Sequence, residues 1–289
     1  MGGLHHDHTR GFNKKVLRPS LRKEMARQAI NDHQVTVRLA CQAFKISETC
    51  YRYDPKLSSE NELIADWLLR ITATHKQWGF GLCFMYLRNT KGFKWNHKRV
   101  YRIYKQLELN LRIKPRRRIK RDKPQALSVP LSINQTWSID FMSDSLNTGR
   151  KIRTFNVIDD YNRERLGIEV DHSLPAQRVI QSLERLIEWR GKPKAIRCDN
   201  GPEYISHALR EWAQAMGIEL MYIQPGKPTQ NAYIERFNRT ARNEWLNMHI
   251  FDSIEHAQSL ATQWMWVYNN ERPHSSIGGI LPRKLLEAI

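Results

Sequence analysis

Apolar residues recur three and four apart through much of residues 35–110, and beyond residue 135 the pattern changes to alternating strand-like and helix-like segments. In "VTVRLACQAFKISETCYRYDP" (35–55), Val37, Ala40, Cys41 and Phe44 fall at helical spacing, which predicts two short helices with a turn near Lys45–Ser47 and Ser47 capping the second. "SSENELIADWLLRITATH" predicts a helix with an inward stripe of Leu63, Ile64, Trp67, Leu68 and Ile71. In "WGFGLCFMYLRNTKGFKWNHKRVYRIYKQLELN" (78–110) one helix is expected to end near Gly92 and another to start after Asn96. The second would bury Val100, Ile103, Tyr104 and Leu107 and leave His97, Lys98, Arg99, Arg102 and Lys105 outward.

"KPQALSVPLSINQ" (123–135) holds two prolines and no helical period, which predicts a boundary near residue 125. "TWSIDFMSD" and "KIRTFNVIDDYNR" read as strands joined through "LNTG", with Gly149 free to take positive φ, and "RLGIEVDHS" as a third strand. "PAQRVIQSLERLIEWRG" reads as a helix started by Pro175 and stopped by Gly191. "KAIRCDNG", "SHALREWAQAMG" and "IELMYIQPG" follow as strand, helix and strand, with a further helix after them. The order βββαβαβα predicts an α/β fold, a mixed sheet with flanking helices.

Charge separates the halves. Residues 1–123 carry 28 Lys+Arg against 10 Asp+Glu, whereas residues 124–289 carry 19 of each, so the net charge of +18 is entirely N-terminal. A basic helical half joined to a balanced α/β half points to a polyanion, nucleic acid first among them; a basic face serving only solubility is the competing account. The two helices of 78–110 suit a helix-turn-helix whose second member enters a DNA groove, with Lys98, Arg99 and Arg102 on phosphates. "RIKPRRRIKRDK" (112–123), with Arg116, Arg117 and Arg118 at its centre, is too charged to pack and suits a phosphate backbone. The four cysteines form no CxxC pair, against a zinc knuckle or disulfide framework, and "HHDH" (5–8) has no downstream partner for a metal site. No run approaches the roughly 18 apolar residues of a membrane span and the start lacks a secretory pattern, so a cytoplasmic location, on the nucleoid when DNA-bound, is expected.

Three acidic residues stand where surface charge is a poor explanation. Asp140 lies inside the apolar strand "WSIDFM", Asp199 ends a central strand at an Asn-Gly turn, and Glu235 sits on the helix after the last strand. Converging carboxylates would raise one another's pKa unless a cation neutralised them, and an all-oxygen donor set selects Mg²⁺ or Mn²⁺. Two such ions about 3.5–4 Å apart serve phosphodiester chemistry by activating the attacking oxygen and stabilising the leaving one. Asp159 and Asp160 also follow an apolar strand and compete with Asp140, although a turn role suits them better. Glu203 either supports the site or begins the next helix, and Asp144 reads as a surface residue. Asn231, Glu235, Arg239 and Arg242 recur on one helical face, as an ion-pair ladder with Glu235 bonded to Arg239 or as a metal ligand flanked by DNA contacts.

Residues from about 130 to 285 resemble the integrase-type catalytic core of bacterial insertion-sequence transposases, most closely the downstream-frame protein of the group that fuses two reading frames by frameshifting. The motifs are "WSIDF", "KAIRCDNGPEYIS", "PGKPTQNAYIERFNRTARNEW" and "YNNERPHSSIGGILP", with 35 residues between Asp199 and Glu235 as in the DD(35)E triad. The resemblance implies an RNase H-like fold preceded by an all-α, helix-turn-helix-like DNA-binding region. The expected division is 1–56 and 57–113 (helical, DNA-binding), 114–130 (linker) and 131–289 (catalytic). It further implies that Asp140, Asp199 and Glu235 are catalytic and hold divalent metal for strand cleavage and strand transfer of an insertion sequence. Arg242 falls where the family has a basic residue. Element-end repeats and target DNA are the implied partners, with a homo-oligomer on DNA and an upstream-frame protein, since no sustained heptad repeat is present here. A plain RNase H-type nuclease and a DNA-binding regulator are the competing functions. Gln230 departs from the family's frequent Asp, and Arg272 and His274 of "RPHSS" read as anchors for the last helix.

Overall fold

In the computed structural model, which describes residues 19–53, 59–111, 129–224 and 228–287, the chain divides into two units between Ser59 and Glu60. The first holds α1 (Pro19–His33), α2 (Val37–Ala43) and α3 (Glu48–Arg52). The latter two are the predicted short helices. Thr36 caps α2 by accepting from the Leu39 N–H, Ser47 caps α3 by accepting from Cys50, and Lys45 turns the chain between them at φ 51°. The apolar pattern does not announce α1, because only Ala26 of its described side chains is buried.

In the second unit α4 (Ser59–Thr74), α5 (Phe80–Met85) with its π-helical continuation (Tyr86–Thr90), and α6 (His97–Gln106) share one core. Ile64, Leu68 and Ile71 of α4 are buried in it with Val100, Ile103 and Tyr104 of α6. Leu63, expected in that stripe, is 45% exposed, because it lies one residue around the helix from the Ile64–Leu68–Ile71 ridge. Asn96 caps α6 by accepting from the Lys98 N–H at 2.8 Å, and Gly92 turns the chain before it at φ 78°. These helices belong to the same unit as the sheet, and Asn89 donates to the Gly279 carbonyl at 2.8 Å.

The α/β part runs β1 (Thr136–Ser145), β2 (Lys151–Asp159), β3 (Arg165–Asp171), α7 (Ala176–Arg190), β4 (Ala195–Cys198), α8 (His207–Met216), β5 (Glu219–Tyr222), α9 (Ala232–Glu244), α10 (Ile254–Asn270) and α11 (Lys284–Glu287). The sheet order is β3-β2-β1-β4-β5, antiparallel among the first three strands and parallel from β1 to β4 to β5. This is the RNase H-like arrangement expected, with β1 central. Alternation along β1 separates two cores: Trp137 and Ile139 pack towards α7 and α8, and Met142 towards α9 and α10. Asp140 therefore faces the α9 side.

Candidate active site

The strand pairing sets the first two carboxylates. β1 and β4 run parallel with Thr136 beside Ala195 and Ser138 beside Arg197. Carried two residues further, the same register sets Asp199 beside Asp140, just past the end of β4. Both are half-buried. Each carboxylate is held by a local donor: Asp140 Oδ1 accepts from the Phe141 N–H at 2.8 Å, and Asp199 Oδ1 from the Gly201 N–H at 2.9 Å. A methyl group at Gly201 would stand 3.0 Å from that same Asp199 oxygen, so any larger residue there would press on the carboxylate.

Glu235 comes from the first turn of α9 and is exposed. Three residues on, Asn238 donates to Asp140 Oδ2 at 2.7 Å, which turns this stretch of α9 towards β1. Burial raises the Asp140 pKa to about 6, and the Asp199 and Glu235 charges push the same way against the hydrogen bonds from Phe141 and Asn238. The Asp199 and Glu235 charges thus both act on Asp140. Among the described residues, however, no group of three or more His, Cys, Asp or Glu side chains is close enough to form a ready metal cage. Asp140 and Asp199 are turned onto backbone donors instead, as mutual repulsion favours. The donor set is all oxygen and fits a hard divalent cation.

Two models described as integrase core domain match, one over residues 131–228 and one over 216–282. The chain is 39% identical over 248 residues to the insertion element IS407 uncharacterized 31.7 kDa protein of Burkholderia multivorans, covering 86% of this chain and 89% of the relative. The chain belongs to the bacterial insertion-sequence transposases with an integrase-type core. It is also similar to the insertion element IS476 uncharacterized 39.2 kDa protein of Xanthomonas euvesicatoria (38% identical; 93% and 77% covered) and to the putative transposase InsD for insertion element IS2E of Escherichia coli (30%; 66% and 91%). Among solved structures it is similar to the HTLV-2 integrase catalytic core domain in complex with magnesium, at 19% identity and TM-score 0.45 over 53% of this chain and 97% of that one.

In this transposase chain the competing carboxylates are otherwise engaged. Asp159 accepts from the Asn134 and Tyr161 backbone N–H groups at 2.7 and 2.8 Å, and burial raises its pKa to about 6. Asp160 is buried against Arg197. Both lie beside the first residues of β1, three to four positions along the strand from Asp140, since Trp137 pairs with Asp159 and the Asp160 N–H donates to the Thr136 carbonyl. Glu203 does not begin α8, which starts at His207 with Ser206 as its cap. It binds Arg153, whose guanidinium stacks over Phe141 at 4.2 Å. Burial acts to raise Glu203, but the bond from Arg153 prevails and its pKa falls.

The predicted DNA contacts are placed unevenly. Arg239 is exposed, and among the described residues Glu235 has no ion-pair partner, so the Glu235–Arg239 ladder does not form. Asn231 is buried, with its amide oxygen unpartnered. Arg242 binds Asp144 at 2.5 Å and the Ser143 carbonyl at 2.6 Å, so Asp144 is not the bare surface residue expected but a tether between β1 and α9. Lys98 and Arg102 are exposed on α6, whereas Arg99 ties α6 to α4 through Glu60 and Asn61. Arg116, Arg117 and Arg118, most of the linker and the "HHDH" run lie outside the described residues. Gln230, in place of the family's frequent Asp, accepts from the Gln224 N–H at 2.8 Å.

The sequence reading missed a relay behind Asp140. Fully buried Arg165 donates to Asn156 at 2.9 Å, Asn156 to Asn238 at 2.9 Å, and Asn238 to Asp140. Asn156 pairs directly across β2 from Asp140. An asparagine inside the apolar run "FNVID" was the available signal, because a buried amide demands partners.

Proposed function

We propose that the chain is a DNA transposase that uses Asp140, Asp199 and Glu235 for metal-dependent cleavage and joining of insertion-sequence DNA. The observation carrying this reading is the parallel register that sets Asp199 beside Asp140 while Asn238 draws α9, with Glu235, to the same end of β1. The three carboxylates would hold two Mg²⁺ or Mn²⁺ ions, which when bound activate the attacking oxygen and stabilise the leaving one. Asn238 and the Asn156–Arg165 relay hold Asp140 in orientation. Phe141 and Tyr204, stacked at 5.0 Å, pack on the opposite face of β1 from Asp140. Both reactions are in-line displacements at phosphorus, with water as nucleophile for cleavage and a freed 3′-hydroxyl for joining, so one site serves both.

Exposed Lys98, Arg102 and Arg239, together with the basic run around Arg116–Arg118, would carry the DNA backbone. Assembly as a homo-oligomer on paired element ends, with an upstream-frame product supplying further end recognition, completes the proposal. No helix among the described residues is long and apolar enough to cross a membrane. The test incubates the purified chain with labelled candidate end DNA and Mg²⁺. Cleaved and joined products are expected, and Asp140→Asn, Asp199→Asn or Glu235→Gln should each abolish both while leaving DNA binding nearly unchanged. Full activity in any one variant removes that residue from the site, and cleavage without joining replaces the transposase by a nuclease.

A further inference from the structure

Helix α9 presents three faces. Ile234, Phe237 and Ala241 are buried in the core, while Glu235, Asn238 and Arg242 look towards β1. A third stripe, Tyr233, Arg236 and Thr240, lies roughly 100–160° around the axis from Glu235 at about 100° per residue. It forms one wall of a cleft of about 670 Å³ whose other walls come from α5 and the "RPHSS" segment. Three guanidinium groups, Arg163, Arg236 and Arg272, line this cleft, and no Asp or Glu does.

These cations are unequally satisfied. Arg272 is neutralised by Glu244. Arg163 is only 7% exposed, stacks on Tyr233 at 3.5 Å and donates Nη1 to the Asp160 backbone carbonyl, but its Nε has no partner. The Asp160 carboxylate, which feels the Arg163 charge, is bound to Arg197. Arg236 is exposed and has no ion-pair partner among the described residues. His274, 8% exposed, likewise leaves Nε2 unpartnered at the cleft wall. A guanidinium is a donor only, so a buried unpaired N–H beside a second cation calls for an anionic oxygen.

We propose that this cleft seats a phosphodiester group of the bound DNA, with Arg163 and Arg236 as its cationic contacts. The site rests on the transposase reading and extends it: DNA would be held on two faces of α9, at the carboxylates and around the helix at this cleft. The phosphate would bridge α9 to Arg163, which lies between β2 and β3, and so couple DNA engagement to the helix that carries Glu235.

The test measures binding of a short duplex to the full chain by fluorescence anisotropy across a salt series. Exposed Arg236 is the residue to change, because its replacement leaves no buried gap. Arg236→Glu is expected to weaken binding about ten-fold and to lower the slope of log K against log salt by about 1. Arg236→Lys should retain most of the affinity. Lys192→Glu, an exposed charge in the connection from α7 to β4 that does not line the cleft, should change neither quantity. In a second arm, inorganic phosphate at matched ionic strength should raise the melting temperature of the unsubstituted chain above that in chloride, and should not do so in Arg236→Glu. Unchanged affinity and slope in Arg236→Glu, or phosphate stabilisation that survives the substitution, overturns the proposal. If Mg²⁺-dependent cleavage persists while Arg236→Glu binds normally, the cleft fails and the transposase reading stands. A chain that neither binds nor cleaves DNA sinks both.

Discussion

Glu244, the last residue of α9, meets Arg272 of "RPHSS" through contacts of 2.9 Å to Nε, 3.0 Å to Nε and 2.9 Å to Nη2, and the two side chains are only 11% and 14% exposed. Cutting Glu244 to alanine leaves a guanidinium largely desolvated and without its counter-charge, a change that costs about 3 kcal/mol at the lower end of values for broken buried pairs. For a unit of this size that corresponds to a fall in melting temperature of roughly 6–12 °C. Arg272→Ala should cost a similar amount by leaving the glutamate unpaired. The double variant removes both charges and should be about as stable as the worse single one, giving a coupling of about 3 kcal/mol between the sites. Urea unfolding of the four proteins closes the cycle. If the two single effects add to within about 0.5 kcal/mol in the double variant, the pair is not a clamp and the reasoning fails. Glu244→Gln separates charge from shape, since the amide oxygen can still accept one guanidinium N–H.

Asn238→Ala should lower the Mg²⁺-dependent cleavage rate at least ten-fold with little change in DNA affinity; an unaltered rate at saturating DNA would exclude Asn238 as the positioning residue for Asp140. His274 is held by burial, and next by the Arg272 charge, at a pKa of about 3 against an ordinary 6.5. Unfolding frees it to take a proton, so its contribution is whole above about 6.5 and lost as pH falls towards 3, worth a few kcal/mol at most; His274→Gln should flatten that limb of the stability curve, and an unchanged curve refutes the assignment. Asp144→Asn releases Arg242 from its tether, so if Arg242 meets DNA the affinity should rise several-fold and the salt slope steepen by about 1. Weaker or equal binding would make Arg242 a structural bond between β1 and α9.

The elements legible in the sequence were those whose signal is local. Ser47, Asn96, Gly149 and Gly191 each mark a cap or turn by their own chemistry, and each does so in the structure. Asp140 and Asp199 were conspicuous because a charge within or at the end of an apolar strand has no local explanation. What could not be read was pairing at a distance. Asn238 to Asp140 and Arg242 to Asp144 both span 98 residues, and nothing in "FNRTAR" says which strand it meets. Arg99 shows the same limit from the other side: its position on the outward side of an amphipathic helix suggests a phosphate contact, and nothing local tells that Glu60 and Asn61 of α4 also reach it.

The two contacts separated by 98 residues also explain why one helix can serve a site built on a sheet. Four residues of helix advance about 6 Å, whereas four residues of strand advance about 13 Å. Side chains of different reach must therefore make up the difference between α9 and β1: the short Asn238 meets Asp140, and the long Arg242 reaches Asp144 and the Ser143 carbonyl. Behind them Phe237 packs on Arg165 at 3.5 Å, the buried guanidinium that begins the relay to Asp140. The orientation of α9 is thus fixed at its middle by the relay, along its length by Arg242, and at its last residue by the Glu244–Arg272 clamp. Glu235 stands exposed in the first turn, ahead of these fastenings, so the position of the helix is set by contacts other than its own.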